Sequence, residues 1–136
     1  MRKLLLISFC TLFFAFQACK DADNKVATTS EIELISPQQV FDAIYNQDSL
    51  QIVDVRTPEE YVVSHLKGAQ NICVTSNDFN EKVKKLDKNK PVYLYCKSGG
   101  RSSRAAKKLK EMGFTKVYDM DGGITSWEEN NLETEK

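Results

Sequence analysis

The run PVYLYC, Pro91 to Cys96, leads directly into KSGGRS and then into a stretch where Ala105, Ala106, Leu109 and Met112 recur at helical spacing. A short apolar run bounded by a turn reads as a buried strand, and an amphipathic helix entered straight from it must pack back on the sheet. The loop between them therefore holds Cys96 against consecutive backbone N–H groups and the positive end of a helix. A free thiol titrates near pH 8.5, and a helix N-terminus or a guanidinium lowers that value, so a thiolate is expected at Cys96. Gly99 and Gly100 are expected to supply the positive φ that turns N–H groups inward. Arg101 is expected to point inward as well, because a guanidinium there needs an anion to meet. Ser102 or Ser103 can cap the helix, and Ser102 can also donate to the sulfur or its substrate. The plainer reading makes Cys96 a small buried hydrophobe and the glycines a simple turn, but it leaves Arg101 unexplained.

The rest of the chain repeats the strand-then-helix pattern. EIELI is followed by Ser36 and Pro37, a cap and a first-turn proline, and then by Val40, Phe41, Ile44 and Tyr45 on one helical face. LQIVDVR reads as a buried strand, and Thr57 with Pro58 opens the helical turn TPEEYVVSH. AQNICV has strand character and includes Cys73. FNEKVKKL places Phe79, Val83 and Leu86 on one face, with Ser76 and Asn77 as cap candidates. Gly113 stops the helix after the central loop, KVYDM is a further strand, and DGGITSWEENN is a turn with a short helix. Alternating strands and helices imply an α/β sandwich around a mostly parallel sheet, with ligands beyond the carboxyl ends of the strands. Cys96 stands at such an end.

The first residues read as an address. Arg2 and Lys3 precede the apolar run Leu4 to Phe16, and Gln17, Ala18 and Cys19 follow. That is the layout of a signal peptide over residues 1–18, and the run is shorter than the roughly 20 residues a membrane span needs. It resembles a bacterial lipoprotein signal, which implies lipidation at Cys19. Residues 19–30 then form a polar tether, residues 31–132 the domain and residues 133–136 a tail. The expected location is the cell envelope, anchored by lipid and facing the periplasm. Once Arg2 and Lys3 are removed, the 19 basic residues fall to 17 against 19 acidic ones, so nucleic acid is not an expected partner. With Cys10 and Cys19 in or beside the leader, only Cys73 and Cys96 remain in the domain, too few for a disulfide framework. No metal or nucleotide motif appears, and no cofactor is expected.

CKSGGRS, together with IVDVRTPEEYVVSHLKGAQNI and VYDMDGGITSW, resembles the rhodanese-type sulfurtransferases over nearly everything from Ser36 to Trp127. The resemblance implies a three-layer α/β sandwich, a mostly parallel central sheet flanked by helices. It also implies that Cys96 takes a sulfane sulfur from a small anionic donor such as thiosulfate. The sulfur would be held as a persulfide for a thiol, a protein acceptor or cyanide. Lys97, Ser98, Gly99, Gly100, Arg101 and Ser102 would bind the sulfur and the departing anion. Asp54 and Arg56 would brace the active face, with Glu60 part of that brace or a first-turn acid. His65 would be scaffold, and Gly122 and Gly123 a structural turn. Similar folds that handle phosphate or arsenate carry five residues between Cys and Arg; this chain has four, which ranks phosphatase and arsenate reductase chemistry below sulfur transfer. The alternative is a persulfide carrier, or sulfur-relay module, with little turnover. Cys73 departs from the family, where proline is common. It could resolve an oxidised Cys96 or bridge to it, but its strand position favours a buried, inert role.

Overall fold

The structure is a computed structural model that describes residues 30–136, so the leader, Cys19 and most of the tether lie outside the described residues. Ten elements follow one another: β1 (Glu31–Ile35), α1 (Pro37–Asn46), β2 (Gln51–Asp54), α2 (Pro58–Val63), β3 (Gln70–Asn71), α3 (Phe79–Val83), β4 (Val92–Tyr95), α4 (Gly100–Glu111), β5 (Lys116–Met120) and α5 (Gly123–Glu129). The helix starts are locally determined. Ser36 accepts from the Gln39 N–H while Gln39 reaches back to the Ser36 N–H, and Thr57 and Glu60 form the same reciprocal box, each with proline next in the chain.

The strands pair in the order β1-β5-β4-β2-β3, every pair parallel, which requires the crossovers that the helices provide. Because side chains alternate along β4, Val92, Leu94 and Cys96 join the core beneath α3 and α4, with Phe79, Val83, Ala105, Ala106 and Leu109. Tyr93 and Tyr95 join the opposite core, with Val40, Met120, Ile124 and Trp127. The result is the expected three-layer sandwich. Each large side chain buried there, Trp127 and Phe114 among them, contributes on the order of 1.5–3 kcal/mol, which fixes both helix layers on the sheet.

Several local expectations are corrected. The strand in AQNICV is only Gln70–Asn71, so Cys73 lies in the loop beyond it, half-buried, with its sulfur 3.2 Å from Thr75 Oγ1. Both Cys73 and Cys96 are free thiols. Asp78, not Ser76 or Asn77, occupies the cap position of α3, and Ser76 Oγ donates to its carboxylate instead. The tail, residues 133–136, is held on the domain: Glu135 and His65 exchange two backbone hydrogen bonds, and Trp127 Nε1 donates to the Glu133 carbonyl.

Candidate active site

β4 ends at Tyr95, and the chain turns at once, so Cys96 is carried at the carboxyl edge of the central strand, 1% exposed. The turn is tight because Gly99 takes φ 109°, a value L-residues rarely adopt. Its N–H then donates to Cys96 Sγ at 3.0 Å. Gly100 differs from expectation: it is the first residue of α4 with ordinary φ, so one glycine, not two, makes the turn. Neither Ser102 nor Ser103 caps the helix. Gly99 is at the cap position, and Ser102, wholly buried, donates to the Gly99 carbonyl at 3.1 Å.

Ser102 also acts on the sulfur. Burial opposes ionisation of Cys96 most strongly, but hydrogen bonds from the Ser102 side chain and from the N–H groups of Ser102, Gly99 and Ser98 outweigh it. The thiol is held below its ordinary range, which favours the nucleophilic thiolate.

Arg101 is placed otherwise than its sequence position suggests. Its guanidinium is gripped by both carboxylate oxygens of Glu60, at 2.5 and 2.7 Å, about a quarter exposed. The anion it meets is thus part of the protein. The Arg101 hydrogen bonds hold the Glu60 carboxyl at about 2, against an ordinary 4.5. Glu60 therefore serves α2 as a cap and α4 as an anchor.

Behind the loop, Asp54 and Arg56 form a buried ion pair at 2.6 Å, and Arg56 also donates to the Ser64 carbonyl. Asn71 ties the same turn by donating to the carbonyls of Asp54 and Arg56. His65 stacks on Tyr61, and its Nδ1 lies 3.0 Å from the Tyr61 carbonyl; since a carbonyl only accepts, that nitrogen carries the proton. These contacts tie His65 into the scaffold around α2 and the C-terminal residues. Gly123, at φ 60°, lets α5 start directly against the loop, with Ile124 and Thr125 donating to the Cys96 and Lys97 carbonyls.

Lys97 and Ser98 are exposed at the loop's rim. Lys97 borders a groove of about 420 Å³ that also meets Arg56, Glu59, Val63, Thr125 and Glu128. Two contributors escaped the sequence reading. Asn71 gives no local signal, since its partners lie 15 and 17 residues away. Asp119 does: in KVYDM it shares the alternation of Val117, so it marks a carboxyl on a buried strand face.

Comparison with known proteins matches the Rhodanese-like domain model over residues 36–130. Thiosulfate sulfurtransferase GlpE of Pseudomonas fluorescens is 32% identical over 72% of this chain and 86% of its own length. The putative sulfur carrier protein YrkF of Bacillus subtilis is 32% identical over 79% of this chain and 57% of its own. The chain spans 28 to 60% of the length of several curated relatives that it matches. Among solved structures, a rhodanese-related protein from Thermoplasma volcanium superposes with a TM-score of 0.67 at 27% identity, covering 76% of this chain and 97% of that one. With its four-residue loop, parallel sheet and sulfurtransferase relatives, the chain belongs to the rhodanese-like domain family.

Proposed function

We propose that the domain is a sulfurtransferase that works through a persulfide on Cys96. The observation that carries this reading is the Cys96 sulfur at the carboxyl edge of β4, met by the Gly99 N–H at 3.0 Å and held toward the thiolate by Ser102 and Ser98. In the first half-reaction the thiolate attacks the outer sulfur of a thiosulfate-like donor. A Cys96 S–S bond forms, the donor's S–S bond breaks, and sulfite leaves with the bonding pair. The backbone N–H groups that steady the thiolate steady the persulfide anion in its place. In the second half-reaction an acceptor thiolate or cyanide attacks the terminal sulfur, and the Cys96 thiolate returns. Lys97 at the rim supplies positive charge for the donor, while Arg101, already paired to Glu60, orders the loop.

The test is to incubate the domain with thiosulfate and follow the Cys96 peptide by mass spectrometry. One added sulfur atom, removed by cyanide as thiocyanate, is expected; Cys96→Ala should show neither, and turnover retained in that variant would overturn the mechanism. A second reading has the similarity to YrkF in its favour: Cys96 carries sulfur for a protein acceptor with little turnover on small donors. A stable persulfide with no thiocyanate formation would select it.

The leader's layout further supports lipidation at Cys19 and a domain tethered to the cell envelope on its periplasmic side. Cys19→Ser should release the full chain from membranes, and unchanged membrane association would refute the anchor. Among the described residues no helix is long and apolar enough to cross a membrane.

A further inference from the structure

The groove beside the loop is walled by two helices. Glu59 and Val63, four residues apart, share a face of α2, and Thr125 and Glu128, three apart, share a face of α5. The walls meet where Ser64 Oγ donates to Glu128 Oε1 at 3.4 Å. Lys97 stands at the end next to Cys96, because the Thr125 N–H donates to the Lys97 carbonyl and holds the start of α5 against the loop.

The charges that line this groove divide into two sets. Arg56 is paired with Asp54, and Glu60 with Arg101. Glu59, Glu128 and Lys97 are exposed and, among the described residues, make no ion pair. The groove thus presents one cation at the loop and two carboxylates on its walls. Val63, 67% exposed, adds apolar surface between them.

A sulfur donor does not account for these features. Thiosulfate and sulfite are small anions, which suit Lys97 and which Glu59 and Glu128 repel. A volume of about 420 Å³ falls within the range of about 300–1,000 Å³ typical of sites for much larger ligands. Cys96 is 1% exposed, so a thiol on the flat surface of a folded protein cannot reach it, whereas a thiol on a narrow, extended segment can. A segment that meets all of these features brings its thiolate to Lys97, a cation to the glutamates and an apolar group to Val63.

We propose that this groove is the docking site of the sulfur acceptor, and that the acceptor is a basic polypeptide segment whose cysteine lies beside a lysine or arginine. The inference rests on Cys96 as the sulfur-carrying nucleophile and deepens that reading by naming the acceptor's chemistry. The segment's thiolate attacks the terminal sulfur of the Cys96 persulfide. Its own S–S bond forms, the bond to Cys96 Sγ breaks, and the Cys96 thiolate leaves with the bonding pair. Anionic donor and cationic acceptor thus use different residues of one mouth, Lys97 for the first and Glu59 with Glu128 for the second.

The test uses disulfide exchange, which needs neither persulfide nor sulfur donor. Matched short peptides carry one cysteine flanked on both sides by lysine, serine or glutamate, activated as the mixed disulfide with 2-thiopyridine. The Cys96 thiolate attacks the peptide sulfur and pyridine-2-thiolate leaves. The mixed disulfide at Cys96 of the full chain is read by non-reducing mass spectrometry, so that the other cysteines do not interfere. Each rate is divided by that of the same peptide with 2-mercaptoethanol, and each variant's rates by its rate of Cys96 alkylation with iodoacetamide, which cancels intrinsic reactivity. The lysine peptide should react about fivefold faster than the serine peptide and the glutamate peptide slower than both, as expected for exposed charge pairs. The preference should shrink toward unity at about 1 M salt. In the double variant Glu59→Gln, Glu128→Gln the lysine advantage should fall to within about twofold of unity, whereas Glu129→Gln, on α5 but outside the groove, should keep it. Equal rates for the three peptides, a faster glutamate peptide, or a lysine preference undiminished in the double variant would overturn the proposal. If the double variant does not fold, the order of the peptides on wild type and its loss in salt decide. Activated cysteamine gaining as much over activated 2-mercaptoethanol as the lysine peptide gains over serine would make the acceptor a small aminothiol and refute the polypeptide. The expected order in a chain that forms no persulfide from thiosulfate would refute the sulfurtransferase reading and leave the docking groove standing; a persulfide with no order among the peptides would do the reverse.

Discussion

At the scale of single residues, the three glycines around the loop stand under different constraints. A Cβ on Gly123 would stand 2.5 Å from the Cys96 carbonyl oxygen and 2.6 Å from the Lys97 carbonyl carbon and oxygen, at φ 60°. Backbone cannot retreat as a flexible side chain can, so alanine there must push the loop and α5 apart. Gly99 has open space around a built Cβ but φ 109°, so alanine there meets backbone strain alone. Gly100 has neither obstacle, and alanine at that position removes only chain entropy from the unfolded state. Gly99→Ala should therefore cost about 1–3 kcal/mol by strain, while Gly100→Ala should be neutral or stabilise by up to ~1 kcal/mol. Gly123→Ala should exceed Gly99→Ala in cost and slow Cys96 alkylation as well, since it displaces the carbonyls of Cys96 and Lys97. Urea titrations of the three variants check the order; equal effects at the three positions would contradict this account.

At the scale of elements, α2 and α4 are joined by the ion pair of Glu60 with Arg101, 41 residues apart in the chain. Glu60→Gln isolates it, because glutamine can still complete the capping box with Thr57 while the ion pair is lost. At neutral pH the variant should be less stable by about 1.5–3 kcal/mol, the range for hydrogen bonds to charged groups. The sign with pH follows from the depressed carboxyl. The stabilisation is complete above the ordinary value of 4.5 and is lost as pH falls toward about 2, so wild type and variant should converge in acid. Denaturant melts at pH 7 and at or below pH 2 measure this directly, and a gap that persists undiminished there would exclude the ion pair as its source. This contact also marks where the sequence stops being legible. The starts of α1 and α2 could be read because Ser36, Pro37 and Gln39, like Thr57, Pro58 and Glu60, signal within a single turn. The strand, loop and helix around Cys96 could be read from periodicity, and the resemblance carried the fold. The partner of Arg101 could not be read, since the same arginine at a helix mouth suits an external anion or an internal glutamate. Cys73 was misplaced because β3 is only two residues long, too short for a periodic signal.

For the whole molecule, the site lies where β2, β4 and β5 end together, so that Asp54, Cys96 and Gly123 are supplied by three different strand-to-helix turns. Its stability therefore rests on how those turns are held from behind, and the last residues of the chain take part. Glu135 and His65 exchange backbone bonds of 2.9 and 2.8 Å just after α2, while Glu133 accepts from the indole of Trp127, a side chain 1% exposed in α5. Removing residues 133–136 deletes all three bonds and leaves the Trp127 N–H without its partner in the core between α1 and α5. An orphaned buried donor costs about 1–3 kcal/mol, and for a domain of this size each kcal/mol lowers Tm by about 4–8 °C. A chain ending at Leu132 should thus melt at least several degrees below the intact one. The bonds that shape the loop, from Gly99 to Cys96 and from Ile124 and Thr125 to the carbonyls beside it, do not involve the deleted residues. At 25 °C the truncated chain should accordingly keep its rate of Cys96 alkylation within about twofold, because a folded two-state domain retains its native site until it melts. Thermal melts paired with that alkylation rate separate the two effects: loss of reactivity without loss of Tm would mean that the C-terminal residues shape the loop itself, and an unchanged Tm would mean that the clamp on His65 and Trp127 holds nothing.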